Sequence, residues 1–503
     1  MNNGILIGID AGTTIFKAVA FEAKDGSVIA EAHKQLPILS PRPGYQVTPV
    51  KALDNALNLT IRQLRIKLGR RWKDLTGIGI AAQGGSTMVV DRHTGESHTD
   101  MILWCDARDS DEGIALRARK PDRWWRKTMR NNWTPAGLGR LAWLLHSDKK
   151  LRARSSDIFV GAGEYLYHAL TGVWRQDAGS ALQMGTYNPN TGNGDTGPVQ
   201  TLLPELRGRF APIRHGHDTN KLSEGGAKRI KLDPSTAPIP VAGPYMDQEA
   251  GLASVSSISE KPLQVSLGTA WVGNFNEKNT RKGFAGLQFV INGSSKDNRT
   301  VILPLLTGNA AWNWALKAFV DERHERALLK SQAIFSESLL PPIGMVCVPW
   351  ILQPNPLEHD AHGAGTFYGV DPSSTPADFL RAVACGMCFE LFRVFKVLKE
   401  SKSIDAVIIS GGAAKAPQFR TLIATLFSPV PVYIQKNEDT AAARGALTAF
   451  NASMSKSPVS RIPVAKGKLA VDIVLAFQSY EKIYGALYKN CPLGAAYTVE
   501  KDQ

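Results

Sequence analysis

Two segments, far apart in the chain, share one form: an apolar strand, a glycine-threonine turn and a second apolar strand. The first is LIGIDAGTTIFKAVAF, residues 6–21, and the second is PLQVSLGTAWVGNFNE, residues 262–277. Apolar runs rich in Ile, Val and Phe between turn residues are typical of β-strands. A unit that recurs once predicts two similar lobes built on one plan. The 503 residues are enough for two large domains.

Apolar periodicity predicts an α/β protein. Residues 50–68 carry apolar residues at three- and four-residue spacing, which predicts a helix. From residue 405 onwards strands alternate with helices, the pattern of an α/β lobe. The Pro- and Gly-rich stretch STAPIPVAGPYMDQEAGLASV separates the two halves. We therefore predict an N-terminal domain over residues 1–255 and a C-terminal domain over residues 256–503.

The composition is that of a globular protein, with 43% hydrophobic and 21% charged residues. The most apolar stretch, PPIGMVCVPWIL, is about half the roughly 20 residues that a membrane crossing needs. The first residues lack the features of a signal peptide, so we expect a cytoplasmic protein without a membrane partner. Cys385 and Cys388 have the spacing of a redox or zinc pair. Their apolar, helical surroundings favour buried structural thiols instead.

The net charge of +14 raises the question of nucleic-acid binding. The densest basic stretch, LRARKPDRWWRKTMRNNW, interleaves Trp124, Trp125 and Trp133 with Arg and Lys, as a base-stacking surface would. No helix-turn-helix, finger or RNA-binding signature accompanies it. We therefore predict a solvated basic face that also attracts anionic nucleotide, and no nucleic-acid partner.

The tip of the first hairpin has the composition of a phosphate and metal site. Gly12 allows close approach of a ligand, and Thr13 and Thr14 offer backbone and hydroxyl donors to phosphate oxygens. Lys17 adds a positive charge. Asp10 is then a candidate ligand of Mg²⁺, which prefers one or two carboxylates together with substrate phosphates. The alternative is an ordinary tight turn with a solvated Asp10.

Two further glycine turns extend this nucleotide site. Gly268 and Thr269 form the turn of the second hairpin, and two such turns facing one cleft would hold a polyphosphate from both lobes. In SGGAAKAP, Gly411, Gly412 and Ala413 lie between a strand and a helix, where a base or ribose can lie against the backbone. No GxxxxGK[ST] occurs in the chain, so the nucleotide is not held by a P-loop.

Six motifs, in order, resemble those of the FGGY carbohydrate kinases: GIDAGTTIFKAVAF, GEYLYHALTG, GPYMDQEAGLA, SLGTAWV, HGAGTFYGVDP and ISGGAAKAPQFRTLIA. The resemblance covers nearly the whole chain. It implies the two-lobed α/β ribonuclease-H-like, or actin-like ATPase, fold with the ligand cleft between the lobes. It also implies phosphorylation of a sugar or polyol hydroxyl with ATP and Mg²⁺ as cofactors, and it adds Gly308 to the nucleotide site.

Within this resemblance, Asp247 matches the general base of the family, and Gln248 beside it is a candidate substrate contact. Asp247 would accept the hydroxyl proton while Mg²⁺, Thr13 and Thr269 stabilise the developing charge. From the residues alone, Asp247 could equally be the N-cap of a helix.

The predicted sugar pocket departs from that of well-known relatives. After the strand GIGIAA, glycerol kinases carry Gln-Arg-Glu and xylulokinases Gln-Met-His, whose polar side chains touch substrate. This chain has Gln83, a candidate substrate contact, followed by Gly84 and Gly85. The segment LWCDARDSD resembles the Trp-x-Asp-x-Arg of sugar-binding relatives. Asp106 and Arg108 are thus candidates for hydroxyl recognition, with a surface ion pair as the alternative.

The segment VPWILQPNPLEHDAHGAG also departs from the family, with Gln353 and Asn355 in place of a charged pair. Together with features similar to the erythritol and L-xylulose kinase branches, it favours a four- or five-carbon polyol or ketose such as erythritol, xylulose or L-xylulose. The loop residues Glu358, His359, Asp360 and His362 lack the spacing of a known zinc site.

Three questions stay open at this stage. A catalytically degenerate sugar-binding regulator and an actin-like ATPase without a sugar substrate would share the fold; Gly84 and Gly85 favour the former alternative. Arg444 stands where relatives usually have glycine, and by default it would be a surface charge. The sequence does not determine the oligomeric state, for which a homodimer is the candidate.

Overall fold

The structure of the protein, a computed structural model, describes residues 4–130, 134–192, 194, 197–233, 238–268, 270–278, 287–290, 298–305, 307–351 and 365–487. For residues 153, 287–290 and 438 only the backbone is described. Several residues named from the sequence lie outside these ranges: Trp133, Thr269, Gln353, Asn355, Glu358, His359, Asp360 and His362.

The strands are, in chain order, β1 (Ile5–Ala11), β2 (Ile15–Glu22), β3 (Val28–Gln35), β4 (Val47–Thr48), β5 (Leu75–Ala82), β6 (Met88–Asp91), β7 (Met101–Ile102), β8 (Asp157–Val160), β9 (Asn220–Lys221), β10 (Pro240–Met246), β11 (Pro262–Leu267), β12 (Trp271–Lys278), β13 (Leu287–Val290), β14 (Asn298–Pro304), β15 (Val346–Val348), β16 (Thr366–Tyr368), β17 (Ala406–Ser410), β18 (Val432–Gln435) and β19 (Val459–Arg461).

The α-helices are α1 (Val50–Leu68), α2 (Ser110–Ala118), α3 (Asp122–Met129), α4 (Ala136–Ser147), α5 (Lys149–Ala153), α6 (Ala162–Thr171), α7 (Ala178–Met184), α8 (Pro198–Leu202), α9 (Glu224–Ile230), α10 (Asp247–Ala253), α11 (Asn309–Phe319), α12 (His324–Glu337), α13 (Pro376–Glu400), α14 (Pro417–Phe427), α15 (Ala441–Gly445) and α16 (Gly467–Leu487). Short 3₁₀ turns cover Gly69–Asp74, Pro204–Leu206, Gly412–Lys415, Glu438–Thr440 and Ala452–Ser455.

The N-terminal lobe is built on a six-stranded sheet in the order β3-β2-β1-β5-β10-β9. β1 runs antiparallel to β2 and parallel to β5, which is parallel to β10. Side chains alternate along β1, so Ile5, Ile7 and Ile9 join a core with α1 and α6. Leu6 lies on the opposite face of the sheet. Both faces of this sheet are therefore covered.

The C-terminal lobe repeats this plan with a seven-stranded sheet in the order β13-β14-β12-β11-β17-β18-β19. β11 is antiparallel to β12 and parallel to β17, as β1 is to β2 and β5. The prediction of two similar lobes is thus confirmed. The two sheets take their strands from residues 5–246 and 262–461, and the boundary after residue 255 stays a prediction.

The helix α13 carries the two thiols of the CxxC pair into the core of the C-terminal lobe. Cys385 and Cys388 are free and buried, and burial raises the pKa of both thiols. Phe477, Tyr480 and Tyr484 of α16 pack into the same core. The interpretation of the pair as structural thiols is confirmed.

The short helix α15 belongs to the second half of the chain but packs on the first sheet. Ala443 and Leu447 join a cluster with Leu6, on the face opposite α1. The backbone of α15 lies so close that a Cβ on Gly8 would be 2.0 Å from the carbonyl oxygen of Ala443. A Cβ on Gly445 would likewise lie 1.7 Å from the carbonyl oxygen of Ala250 in α10. Glycine is required at both contacts.

Arg444 lies in α15, between the contact residues Ala443 and Gly445. We expected it to be a surface charge, and that expectation is wrong. The side chain is buried at 3% exposure. Its Nη2 donates to the carbonyl oxygen of Gly26 at 2.5 Å, and its guanidinium lies 4.9 Å from the ring of Phe21. Arg444 therefore fastens α15 to the β2–β3 hairpin.

The basic stretch is a helical surface rather than an open stacking surface. In α3, Trp125 is fully buried and its indole nitrogen donates to the carbonyl oxygen of Arg117. Trp124 packs edge-on against Trp125, with ring centroids 4.9 Å apart. Within the part of the chain that the structure describes, no helix combines the length and the apolarity that crossing a membrane would need.

Candidate active site

Three predicted site residues converge because three parallel strands end together. In register, Asp10 of β1 lies beside Ala81 of β5, and Ala82 of β5 lies beside Met246 of β10. Gln83 and Asp247 follow directly after β5 and β10. Ligands of open α/β sheets bind at the carboxyl ends of the strands. The sheet topology alone therefore brings the candidate metal ligand, a candidate sugar contact and the candidate base to one edge.

Both acids at this edge have raised carboxyl pKa values. Burial raises the pKa of Asp10 to about 6, and the charge of Lys17 opposes this shift. Burial, and then the negative charge of Asp10, raise the pKa of Asp247 to about 7. The N–H of Gln248 donates to Asp247 at 2.8 Å and partly offsets the shift. Met246, not Asp247, is the N-cap residue of α10, so the N-cap alternative is wrong.

Further acids behind Asp247 were missed by the sequence analysis. Burial and then the charge of Asp177 raise the pKa of Glu249 to about 8 and that of Glu164 to about 7. Asp177 caps α7 by accepting from the N–H of Ser180 at 2.7 Å. Asp177 also raises the pKa of Asp247. Glu164 and Glu249 fall inside the quoted motifs, but their burial depends on residues distant in sequence.

The tip of the first hairpin touches the predicted sugar pocket. The hydroxyl of Thr13 donates to Oε1 of Gln83 at 2.9 Å and accepts from the indole nitrogen of Trp104 at 3.0 Å. Trp104 is 38% exposed, unusually open for its size. Thr14 is exposed at the tip of the turn. Trp104, which begins the Trp-x-Asp-x-Arg segment, is a further candidate that the sequence analysis did not single out.

The first hairpin also reaches the C-terminal lobe. Nζ of Lys17 donates to the carbonyl oxygen of Asp439 at 2.9 Å. Nζ of Lys415, next to the Gly411–Ala413 turn, lies 3.7 Å from the carboxylate of the same Asp439. The predicted phosphate lysine and the predicted adenosine turn are therefore linked through one acidic residue, Asp439.

The glycine turns of the C-terminal lobe also meet. The N–H of Asn309, next to Gly308, donates to the carbonyl oxygen of Gly268 at 3.0 Å. A Cβ on Gly412 would lie 3.4 Å from Nδ2 of Asn309, and Gly411 has a φ of +93°. Ala413 follows them in a buried position. Gly268, Gly308, Gly411 and Gly412 thus border one region, while Thr269 lies outside the described residues.

A chain of amides connects the two lobes beneath the site. Nδ2 of Asn274, in β12, donates to Oε1 of Gln248 at 2.9 Å and to Oε1 of Gln264 at 2.5 Å. Nε2 of Gln264 donates to the hydroxyl of Ser410 at 3.0 Å. Ser410 immediately precedes Gly411. The helix carrying Asp247 is thereby hydrogen-bonded to the strand leading into the adenosine turn.

Asp106 and Arg108 form a buried ion pair, so the alternative of a surface pair is wrong. The carboxylate of Asp106 accepts from Nε and Nη2 of Arg108 at 2.8 and 2.7 Å. It also accepts from the N–H of Gln46 at 2.5 Å. The guanidinium lies 3.9 Å from the ring of Tyr45 and 4.9 Å from that of Trp143. These contacts indicate a structural role, and hydroxyl recognition by this pair stays a prediction.

Solved structures share this architecture. A xylulose kinase from Rhodospirillum rubrum superposes with a TM-score of 0.82 at 19% identity, over 97% of this chain and 99% of that one. A glycerol kinase from Plasmodium falciparum, solved with ADP, gives a TM-score of 0.78 at 15% identity, over 97% and 98% of the two chains. The protein has the two-lobed actin-like ATPase fold, as predicted.

The family follows from the sequence comparisons. A xylulose kinase from Staphylococcus epidermidis is 23% identical over 502 residues, 97% of each chain. The model of the N-terminal domain of the FGGY family of carbohydrate kinases matches residues 5–253, and that of the C-terminal domain matches residues 305–454. This chain belongs to the FGGY family of carbohydrate kinases.

Proposed function

We propose that the protein transfers the γ-phosphoryl group of ATP to a hydroxyl of a small, uncharged polyol or ketose, with Asp247 as general base. Xylulose, L-xylulose and erythritol are the leading candidates. The observation that carries the proposal is the convergence of Asp10, Gln83 and Asp247 at the ends of β1, β5 and β10. Relatives named xylulose kinase and glycerol kinase support the substrate class.

Asp247 is suited to proton transfer near neutral pH. A pKa raised to about 7 keeps the group basic enough to take a proton yet largely ionised at slightly alkaline pH. In the reaction the substrate hydroxyl gives its proton to Asp247 as its oxygen bonds to the γ-phosphorus. The bond from that phosphorus to the β–γ bridging oxygen breaks, and ADP leaves.

The site fits Mg²⁺ and nucleotide through its own residues. The negative charge of Asp10 raises the pKa of Asp247 and so disfavours its ionised form. A cation bound at Asp10 would offset this effect. Mg²⁺ at Asp10 would neutralise phosphate charge. Thr13, Thr14, Lys17, Gly268, Thr269 and Gly308 are proposed for the phosphates, and Gly411, Gly412 and Ala413 for the adenosine. Gln83 and Gln248 are proposed for the sugar.

A coupled ADP-release assay tests the proposal with erythritol, threitol, ribitol, xylitol, both xyluloses, ribulose and glycerol. We expect sugar-dependent ADP release with at least one of them. Asp247→Asn should lower kcat by about 10²- to 10⁴-fold, the usual contribution of a general base, with little change in ATP binding. Full activity of that variant would refute the assigned base. Sugar-independent ATP hydrolysis would point to an ATPase, and sugar binding without turnover to a regulator.

A further inference from the structure

The turn after β5 carries glycines at positions 84 and 85, and a residue from another element fills the space where their side chains would lie. A Cβ built on Gly84 would lie 2.4 Å from Oε1 of Gln183, and one on Gly85 would lie 2.9 Å from the same atom. Gln183 is in the last turn of α7, about 100 residues further along the chain. Its carboxamide therefore lies directly against the glycine pair.

This position belongs to the proposed sugar pocket. The second group near the Cβ position of Gly84 is Cε of Met246 at 3.1 Å, and Met246 immediately precedes Asp247. The Cβ position of Gly85 lies 3.3 Å from Cβ of Trp104. The space over the two glycines is thus bordered by Gln183, by the strand end that carries the base and by the exposed tryptophan.

Two amide groups at this turn have buried atoms without a hydrogen bond among the described residues. One is the acceptor Oε1 of Gln183 and the other is the donor Nε2 of Gln83. Buried polar atoms in native proteins are nearly always paired, so each unpaired atom calls for an explanation. A hydroxyl group both donates and accepts, and it can satisfy an amide acceptor and an amide donor together.

We propose that Gln183 determines sugar specificity, by offering its carboxamide to a substrate hydroxyl at the turn of Gly84 and Gly85. The glycines at these positions are required because any larger side chain would displace the carboxamide. The inference rests on the proposed function, since it names the group that recognises the sugar of that same site. An uncharged amide at this point suits a neutral polyol or ketose.

Because a side chain at position 84 would clash with the carboxamide of Gln183, the inference can be tested with two independent variants. Gln183→Ala removes the carboxamide, and Gly84→Ala displaces it, because the atom that the new Cβ meets is the end of a flexible side chain. Each change should lower kcat/KM for the preferred sugar roughly 3- to 10-fold, as expected for loss of a neutral hydrogen bond. The order of preference among the sugars should change, while KM for ATP at saturating sugar stays the same.

The double variant Gly84→Ala/Gln183→Ala should be no worse than either single variant, because both changes remove the same contact. Gln63→Ala, which deletes a half-buried glutamine from α1, is the matched control and should leave sugar preference unchanged. Wild-type protein that releases ADP with no sugar would refute the proposed function and this inference with it. If Gln183→Ala retained wild-type activity and the wild-type order of sugar preference, the inference would be overturned while the proposed function stood. Additive losses in the double variant would have the same consequence.

Discussion

At the scale of single residues, the site concentrates acids that resist ionisation. Asp10, Asp247, Glu249 and Glu164 all have raised carboxyl pKa values, and burial is the largest cause for each. Uncompensated carboxyls near a reaction centre are a common sign of a functional site. The cost is that the folded protein must keep protons on groups that the unfolded chain releases readily.

This cost has a predictable pH dependence. A carboxyl pKa raised from 4.5 to about 8 at Glu249 means that the folded state holds the proton more tightly than the unfolded chain does. The free energy of unfolding should therefore fall as pH rises from about 4.5 to about 8. Glu249→Gln removes this titration and should flatten the decline in Tm over that range.

Thermal unfolding at a series of pH values measures the effect. The Tm of the variant minus that of wild type should be at least about 2–4 °C larger at the alkaline end than at the acidic end, the shift that 1 kcal/mol produces in a domain of 150–250 residues. Glu325→Gln, on the exposed surface of α12, is the control. Parallel curves for wild type and Glu249→Gln would contradict the assignment of a buried, protonated Glu249.

At the scale of elements, the tip of the β1–β2 hairpin lies between the proposed phosphate site and the proposed sugar pocket. Thr13 was predicted to bind phosphate, yet its hydroxyl bonds Gln83 and Trp104 in the pocket. Thr13→Val keeps the shape and removes the hydroxyl. We expect KM to rise for both the sugar and ATP, each by about 3- to 10-fold, the effect of one neutral hydrogen bond. Steady-state kinetics with each substrate varied in turn would reveal it; a change in neither KM would remove Thr13 from the site.

The helix α15 depends on Arg444 for its attachment to the first sheet. Arg444→Met keeps much of the apolar stem but deletes the hydrogen bond to Gly26, whose carbonyl oxygen then loses a charged donor. We expect a loss of about 1.5–3 kcal/mol in the free energy of unfolding, typical of a hydrogen bond from a charged group. Urea denaturation of this variant should be compared with Arg70→Met, an exposed site where the change should stay within about 0.5 kcal/mol. Equal stabilities would show that the buried contact does not hold the helix.

At the scale of the whole molecule, the lobes are joined beneath the site by the amides of Gln248, Asn274 and Gln264. Domain closure around substrates is a common step in enzymes, and hydrogen bonds between the lobes can couple the two binding sites. Asn274→Leu removes the hydrogen bonds to Gln248 and Gln264 and replaces Asn274 with a side chain of similar size. We expect KM for ATP in the wild type to change between low and saturating sugar, and we expect this dependence to be lost in the variant.

Measuring KM for ATP at low and at saturating sugar gives this coupling directly. Asn276→Leu, two residues along β12 and exposed, is the matched control because it lies on the same face of the strand. A variant at Asn274 that retains the full wild-type dependence would show that the lobes communicate by another route.

Features that depend on neighbouring residues in the sequence could be predicted from the apolar periodicity and the turn residues. The strand-turn-strand units, the helix over residues 50–68 and the buried thiols of α13 follow from periodicity and turn residues. The burial of Arg444 could not be foreseen, because its partner Gly26 lies 418 residues earlier. Gln183 was missed for the same reason: its neighbours Gly84 and Gly85 come from a different element, and only the folded backbone brings them together.

The contact between α15 and the first sheet also bears on how the protein is made. Ribosomes release the chain from its N-terminus, so β1, β2 and β5 emerge long before the helix that covers their second face. Until residues 441–455 have emerged, Leu6, Val19 and Phe21 have no cover from Ala443, Leu447 and Met454. The first sheet should therefore keep this apolar face exposed on the nascent chain until residues 441–455 have been synthesised.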